Sequence, residues 1–65
     1  MYYLYILKSN KDGDHYIGIT FDLQRRLRYH NGGQVRSTKG RIPFKMIYSE
    51  KFDSRIEARA REVYL

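Results

Sequence analysis

Sixty-five residues allow a single domain, and a chain this short buries only about 60% of the surface it exposes when unfolded. It has no cysteine, and its apolar run at residues 2–7 is far too short for a membrane span or a signal-peptide core. The net charge of +6 sits in the middle: between Asp22 and Glu50 seven cations meet no acid, and from Glu50 onward four acids balance four bases. A field segregated in this way suits a polyanion, because each neutralised phosphate releases condensed counterions. The alternative is an ordinary solvated basic face. No long amphipathic helix carries the charge to a membrane surface, so a soluble, cytoplasmic protein is the expectation.

Residues 2–7 are rich in β-formers and end at the breaker cluster Ser9-Asn10-Lys11-Asp12-Gly13-Asp14. Strand character resumes over residues 15–20, and two strands around an Asp-Gly turn predict an antiparallel hairpin. In the first strand Tyr3, Tyr5 and Leu7 share one face and Tyr2, Leu4 and Ile6 the other. Both faces are apolar, which predicts a central strand covered by helices.

Thr20 then offers a hydroxyl for capping and Asp22 an acid in the first turn of a helix, and Asn31-Gly32-Gly33 its stop. Within it Arg26 and His30 fall three and seven residues after Leu23, along the edge expected to be buried. Arg25 and Arg28 point elsewhere. Residues 34–42 read as a basic loop broken at Pro43, and residues 44–52 as a third strand with Phe44, Met46 and Tyr48 set against Ile47. Ser54-Arg55-Ile56-Glu57 matches a capping box and opens the last helix. Ile56, Ala60 and Val63 make its main apolar stripe, with Ala58, Glu62 and Leu65 on another side. The expectation is an α+β fold: a three-stranded antiparallel sheet flanked by helices in the order β-β-α-β-α. The chain ends on apolar residues without a helix stop, so residues 1–65 read as one C-terminally truncated domain, with a further helix missing.

The residue types that carry chemistry are few. Tyr5 and Tyr16 lie on adjacent strands, and Gly18 shares a face with Tyr16, which would leave open backbone where a substrate approaches. A strand tyrosine is otherwise core, and it serves as a base only where cations or a metal stabilise the phenolate. Arg26 either covers apolar surface with its stem or, with acids scarce upstream, neutralises charge developing on phosphoryl oxygens. His30 would donate to a phosphate or shuttle a proton, unless it is simply a helix-end histidine. Glu62 is either a solvated charge near Arg59 and Arg61 or an oxygen ligand for Mg²⁺. No His/Cys metal cluster, phosphate loop or serine triad is visible.

Taken in order and spacing, these pieces resemble the GIY-YIG nuclease domain. More narrowly, the chain is similar to the small stand-alone bacterial proteins related to the N-terminal domain of excinuclease C, a DNA repair enzyme. The carriers are Tyr3-Leu4-Tyr5-Ile6-Leu7, Tyr16-Ile17-Gly18-Ile19-Thr20, Asp22-Leu23-Gln24-Arg25-Arg26, His30, Arg41-Ile42-Pro43 and residues 54–65. The likeness spans essentially the whole chain. It implies Tyr5, Tyr16, Arg26, His30 and Glu62 as the catalytic set, with Tyr16 as general base for water and Glu62 as ligand to Mg²⁺ or Mn²⁺. The implied activity is metal-dependent hydrolysis of a DNA phosphodiester, on structured or branched DNA, with RNA left open. Arg25, Arg36, Lys39, Arg41 and Lys45 are the expected nucleic-acid contacts. The alternative is a non-catalytic nucleic-acid-binding module on the same scaffold. Tyr3 stands where the name-giving glycine belongs, and Ile19 where several relatives carry lysine. If the reading holds, Tyr5, Tyr16, Arg26 and Glu62 converge in one cleft.

Overall fold

The structure, a computed structural model, describes residues 1–64. Three strands and two helices follow in the expected order: β1 (Tyr2–Ser9), β2 (His15–Thr20), α1 (Leu23–Asn31), β3 (Phe44–Phe52) and α2 (Arg55–Val63), with a short 3-10 turn at Lys39–Arg41. The sheet is antiparallel in the order β2-β1-β3, so β1 is central. This strand runs two residues past its expected end, because Ser9 is needed for the turn. Ser9 makes backbone hydrogen bonds with Asp14 and Gly13, and its hydroxyl accepts from the N–H groups of Lys11 and Asp12. Gly13 supplies the positive φ of 76° that closes the hairpin.

Register decides which side chains share a face. Tyr5 pairs with Gly18 and Leu7 with Tyr16, while Leu4 pairs with Ile19 and Glu50. On the Tyr5 side, Tyr5, Leu7 and Phe44 form a buried cluster that Leu23 and Leu27 of α1 cover, with Tyr16, Ile42 and Met46 at its margins. The Asp22 carboxylate accepts from the Arg25 N–H as N-cap, and at the other end Gln34 and Gly33 bond back to Tyr29 and His30 in a Schellman arrangement. Asn31 then ties the helix to β3. Its carbonyl accepts from the Phe44 N–H at 2.6 Å and its amide donates to the Phe44 carbonyl at 3.0 Å.

Two faces differ from expectation. The pairing of β1 with β3 jumps from Ile6–Tyr48 to Leu7–Met46, leaving Ile47 as the extra residue of a bulge. The inserted residue reverses the alternation, so Tyr48 shares the Leu4 side with Glu50 rather than the Met46 side. In α2 the expected stripe is on the outside: Ile56 is 81% and Val63 76% exposed, Ala60 is exposed too, and Ala58 is the fully buried position. Arg61 marks the side that meets the sheet. Its Nε donates to the Glu50 carboxylate at 2.8 Å, and Ala58 on the same side is fully buried. Arg61 in turn holds the Glu50 carboxyl below its ordinary range. The apolar periodicity was real but ran along the wrong side of the helix; Leu65, expected beside Ala58, lies outside the described residues. The Ser54 cap is as expected, its hydroxyl accepting from the Glu57 N–H.

Because the Asn31 side chain satisfies the first N–H of β3, Asn31→Ala leaves a buried donor unpaired. Urea unfolding should show a loss of about 1–3 kcal/mol with an unchanged m-value; an unaltered midpoint would show that the clamp contributes nothing.

Candidate active site

Tyr5 stands at the centre of the site. Its side chain leaves central β1, crosses the neighbouring strand and lies over Gly18. A Cβ built on Gly18 would come within 2.5 Å of the Tyr5 hydroxyl and 2.6 Å of its Cζ. Gly18 therefore makes room for a phenol of the protein itself, where the sequence suggested an approach for substrate. Open backbone and filled backbone look alike in sequence; only the rotamer of a residue on another strand separates them.

The phenol is 1% exposed and sits inside a hydrogen-bonded chain. Arg26 Nε donates to the Tyr5 hydroxyl at 3.2 Å, and the hydroxyl lies 3.1 Å from His30 Nε2. His30 Nδ1 is 2.8 Å from Thr38 Oγ1, which donates to the Val35 carbonyl at 3.3 Å. Only one placement of protons uses every donor. Arg26 gives to Tyr5, Tyr5 to His30 Nε2, His30 Nδ1–H to Thr38, and Thr38 to the backbone. The chain needs a neutral imidazole, and the surroundings enforce one: burial, then the Arg26 charge, pushes His30 down to about 4. Burial likewise pushes the Tyr5 phenol above its ordinary value, against the pull of Arg26. Tyr5 is thus held as a neutral phenol, unsuited to act as a base.

Tyr16 completes the cluster. Its ring centroid lies 4.7 Å from that of His30 and 6.3 Å from that of Tyr5, and after Tyr5 it helps to raise the Arg26 pKa. Four of the five expected residues are thus brought together: Tyr5, Tyr16, Arg26 and His30. His30, expected to touch a phosphate or carry a proton, has no exposed surface and has both nitrogens engaged by Tyr5 and Thr38. Thr38 was missed by sequence reasoning. It lies in a loop with no periodicity, and nothing in the chain marks this threonine from others.

Glu62 is borne by α2, the helix on the Leu4 side. Among the described residues its ion-pair partner is Arg59, at 3.7 Å, and its charge is the weakest of those acting on the Tyr5 phenol. It makes no hydrogen bond to the cluster. Among the described residues no group of three or more His, Cys, Asp or Glu side chains gathers to hold a metal. Of the expected nucleic-acid contacts, Arg25, Arg36, Lys39 and Lys45 are exposed. Arg41 is taken up by the fold: it pairs with Asp12 at 3.5 Å, donates to the His15 carbonyl and lies over the Phe44 ring.

Two tests follow from this geometry. In Gly18→Ala the new methyl collides with the Tyr5 ring, so stability should fall by about 1–3 kcal/mol and the Tyr5–Arg26 contact should be lost; calorimetry with a crystal structure of the variant checks both. For His30, the folded value of about 4 lies below the unfolded value of about 6.5, so on acidification the unfolded chain takes the proton first. The full contribution is present above about pH 6.5 and is lost as the pH falls to about 4, a change on the order of 2–3 kcal/mol. Unfolding free energies between pH 7 and 5, beside an NMR titration of the ring, would show it; a ring protonating near 6.5 would contradict the buried chain.

A family model for the GIY-YIG catalytic domain matches residues 1–65. The chain is 44% identical over 64 residues to a UPF0213 protein of Streptococcus pneumoniae serotype 4, covering 97% of this chain and 64% of that one. It is 44% identical over 66 residues to the UPF0213 protein CPE1444 of Clostridium perfringens, covering 100% and 70%. The solution structure of the UPF0213 protein BH0048 from Bacillus halodurans superposes with a TM-score of 0.57 at 38% identity, over 98% of this chain and 69% of that one. The chain spans less than two thirds of the length of the two pneumococcal relatives, 64% and 61%. With its cluster of Tyr5, Tyr16 and Arg26 on the matched segments, the chain belongs to the GIY-YIG family, and UPF0213 proteins are its relatives.

Proposed function

We propose that this domain is a metal-dependent endonuclease hydrolysing DNA phosphodiester bonds. One observation carries the reading: the Arg26 guanidinium, in the acid-free basic stretch of the chain, is anchored through Nε by the buried Tyr5 phenol, against which the Tyr16 ring packs. An arginine held in this way loses little freedom when it meets a phosphate, and its terminal N–H groups form the fork that matches phosphoryl oxygens. Arg26 would bind the scissile phosphate and offset the charge that grows on its oxygens during in-line attack. Tyr16, in the same cluster, would contact the attacking water in the general-base role that the family likeness implies. Tyr5 and His30 are positioning residues: they fix the guanidinium and exclude water from its Nε side.

Glu62 suits a hard divalent ion. Its side chain keeps 29% of its surface exposed, and the contact to Arg59 is longer than a hydrogen bond. Mg²⁺ and Mn²⁺ are commonly held through one or two carboxylates, with water and substrate phosphate completing the shell. Such an ion would supply Lewis-acid stabilisation of phosphoryl oxygens. The reading includes a cytoplasmic setting and structured DNA as substrate, in a repair task.

A second reading, a non-catalytic nucleic-acid-binding module, is favoured by the pairing of Glu62 with Arg59 and its lack of a hydrogen bond to the cluster. A nicking assay on branched and duplex DNA with Mg²⁺ or Mn²⁺ decides between them. The endonuclease reading expects a drop of at least about 100-fold in Arg26→Ala and in Glu62→Gln. Absence of cutting by the wild type, or cutting that survives both changes, overturns it. Binding without cutting, with a salt slope reduced by about one in Arg36→Ala or Lys39→Ala, supports the module.

A further inference from the structure

Beside the phenol cluster lies a cavity of about 180 Å³, lined by Thr20, Phe21, Asp22, Arg25, Arg26 and Tyr29. Arg26 forms one wall, so the cavity opens next to the place proposed for the scissile phosphate. Its other walls are unusual for a basic nuclease surface. Phe21 is 66% exposed although it stands between β2 and α1, where a polar residue would serve the turn equally well. Tyr29 is 37% exposed, with the Arg25 guanidinium 5.6 Å above its ring and donating to its hydroxyl at 3.5 Å. Two aromatic residues and two arginines thus line one concavity.

The loop that carries Phe21 is bracketed. Thr20 Oγ1 accepts from the Asp22 N–H at 3.2 Å and donates to the Asp22 carbonyl at 3.3 Å, while Asp22 Oδ1 caps α1. The ring is therefore presented by a backbone already in place, at little ordering cost on binding. Charge decides what fits there. A second phosphate in the cavity would meet the Asp22 carboxylate, whereas a nucleobase brings a neutral π-face for the rings and exocyclic amines for the acid.

We propose that this cavity is a subsite for the nucleobase adjoining the phosphate at Arg26, and that the domain acts on an unpaired or unstacked nucleotide. The proposal rests on the nucleic-acid reading of the Arg26 cluster and adds its substrate class. A base inside a regular duplex is stacked on both sides and cannot enter, so the subsite selects single-stranded segments, flaps or junctions. Every base offers a π-face, so the selection is for strand state with little sequence preference.

The test is fluorescence anisotropy of a labelled single strand and of the blunt duplex of the same sequence, with 2-aminopurine quenching as the stacking readout. Wild type, Phe21→Ala and Phe21→Tyr are compared without divalent metal, and cleavage is followed separately with Mn²⁺. Phe21→Ala should weaken single-strand binding about tenfold and abolish the quenching, duplex binding should stay within twofold, and Phe21→Tyr should restore both. Equal losses on both strand forms, no loss on either, or a wild type that binds neither form overturn the proposal. Cleavage that persists with no effect of Phe21→Ala sinks the subsite alone. Strand preference without any cleavage sinks the nuclease reading alone.

Discussion

The hydrogen bond between the Tyr5 hydroxyl and Arg26 Nε is the contact on which the rest of the site depends. It joins the central strand to the first helix across a fully buried phenol, and it fixes the Arg26 guanidinium. The phenol can reach Arg26 only because Gly18 has no side chain, and burial raises its pKa against the pull of the nearby cation. His30 closes the other side of the hydroxyl and is itself held by Thr38. A buried polar chain of this kind is stable only when every member is satisfied, which explains why a threonine in an irregular loop is as buried as the core leucines.

This arrangement separates two kinds of work within one cluster. Tyr5, His30 and Thr38 are interior residues that meet no solute, and they convert a flexible arginine into a rigid one. Arg26, Tyr16 and the aromatic cavity beside them form the surface that a nucleotide would meet. The acid-free stretch from Leu23 to Ser49 provides the field, while Arg41, one of its seven cations, is spent on tying the hairpin turn to the loop before β3. Charge counted along the chain therefore overstates what is available to a polyanion.

The two helices show why one kind of sequence reading succeeded and the other did not. In α1, Leu23, Arg26, Leu27 and His30 lie along one edge, and a local cap and a local stop confirm both ends. In α2 the cap was legible, yet the apolar stripe pointed outward. Hydrophobic spacing is weak evidence in a helix of nine residues: Ala58 makes the buried contact and Arg61 reaches Glu50, while Ile56, Ala60 and Val63 face outward. The bulge at Ile47 defeated the strand alternation for a similar reason: an inserted residue leaves no mark in composition.

What the chain determined by itself were its local and one-dimensional properties: the hairpin with its Asp-Gly turn, the Ser54 cap of the last helix, the order of elements, the segregated charge, and the placing of Arg26 and His30 along a single helical edge. These depend on neighbours within about one turn of helix or one hairpin, and residue types state them directly. Only the tertiary structure decided that Gly18 is filled by Tyr5, that His30 is sealed between Tyr5 and Thr38, that Glu62 rides on the helix of the other sheet side, and that Phe21 and Tyr29 flank one cavity. Each of these is set by packing that no local pattern encodes. Sheet register and helix rotation fix such meetings, and a one-residue bulge can reverse them without altering the pattern of the sequence.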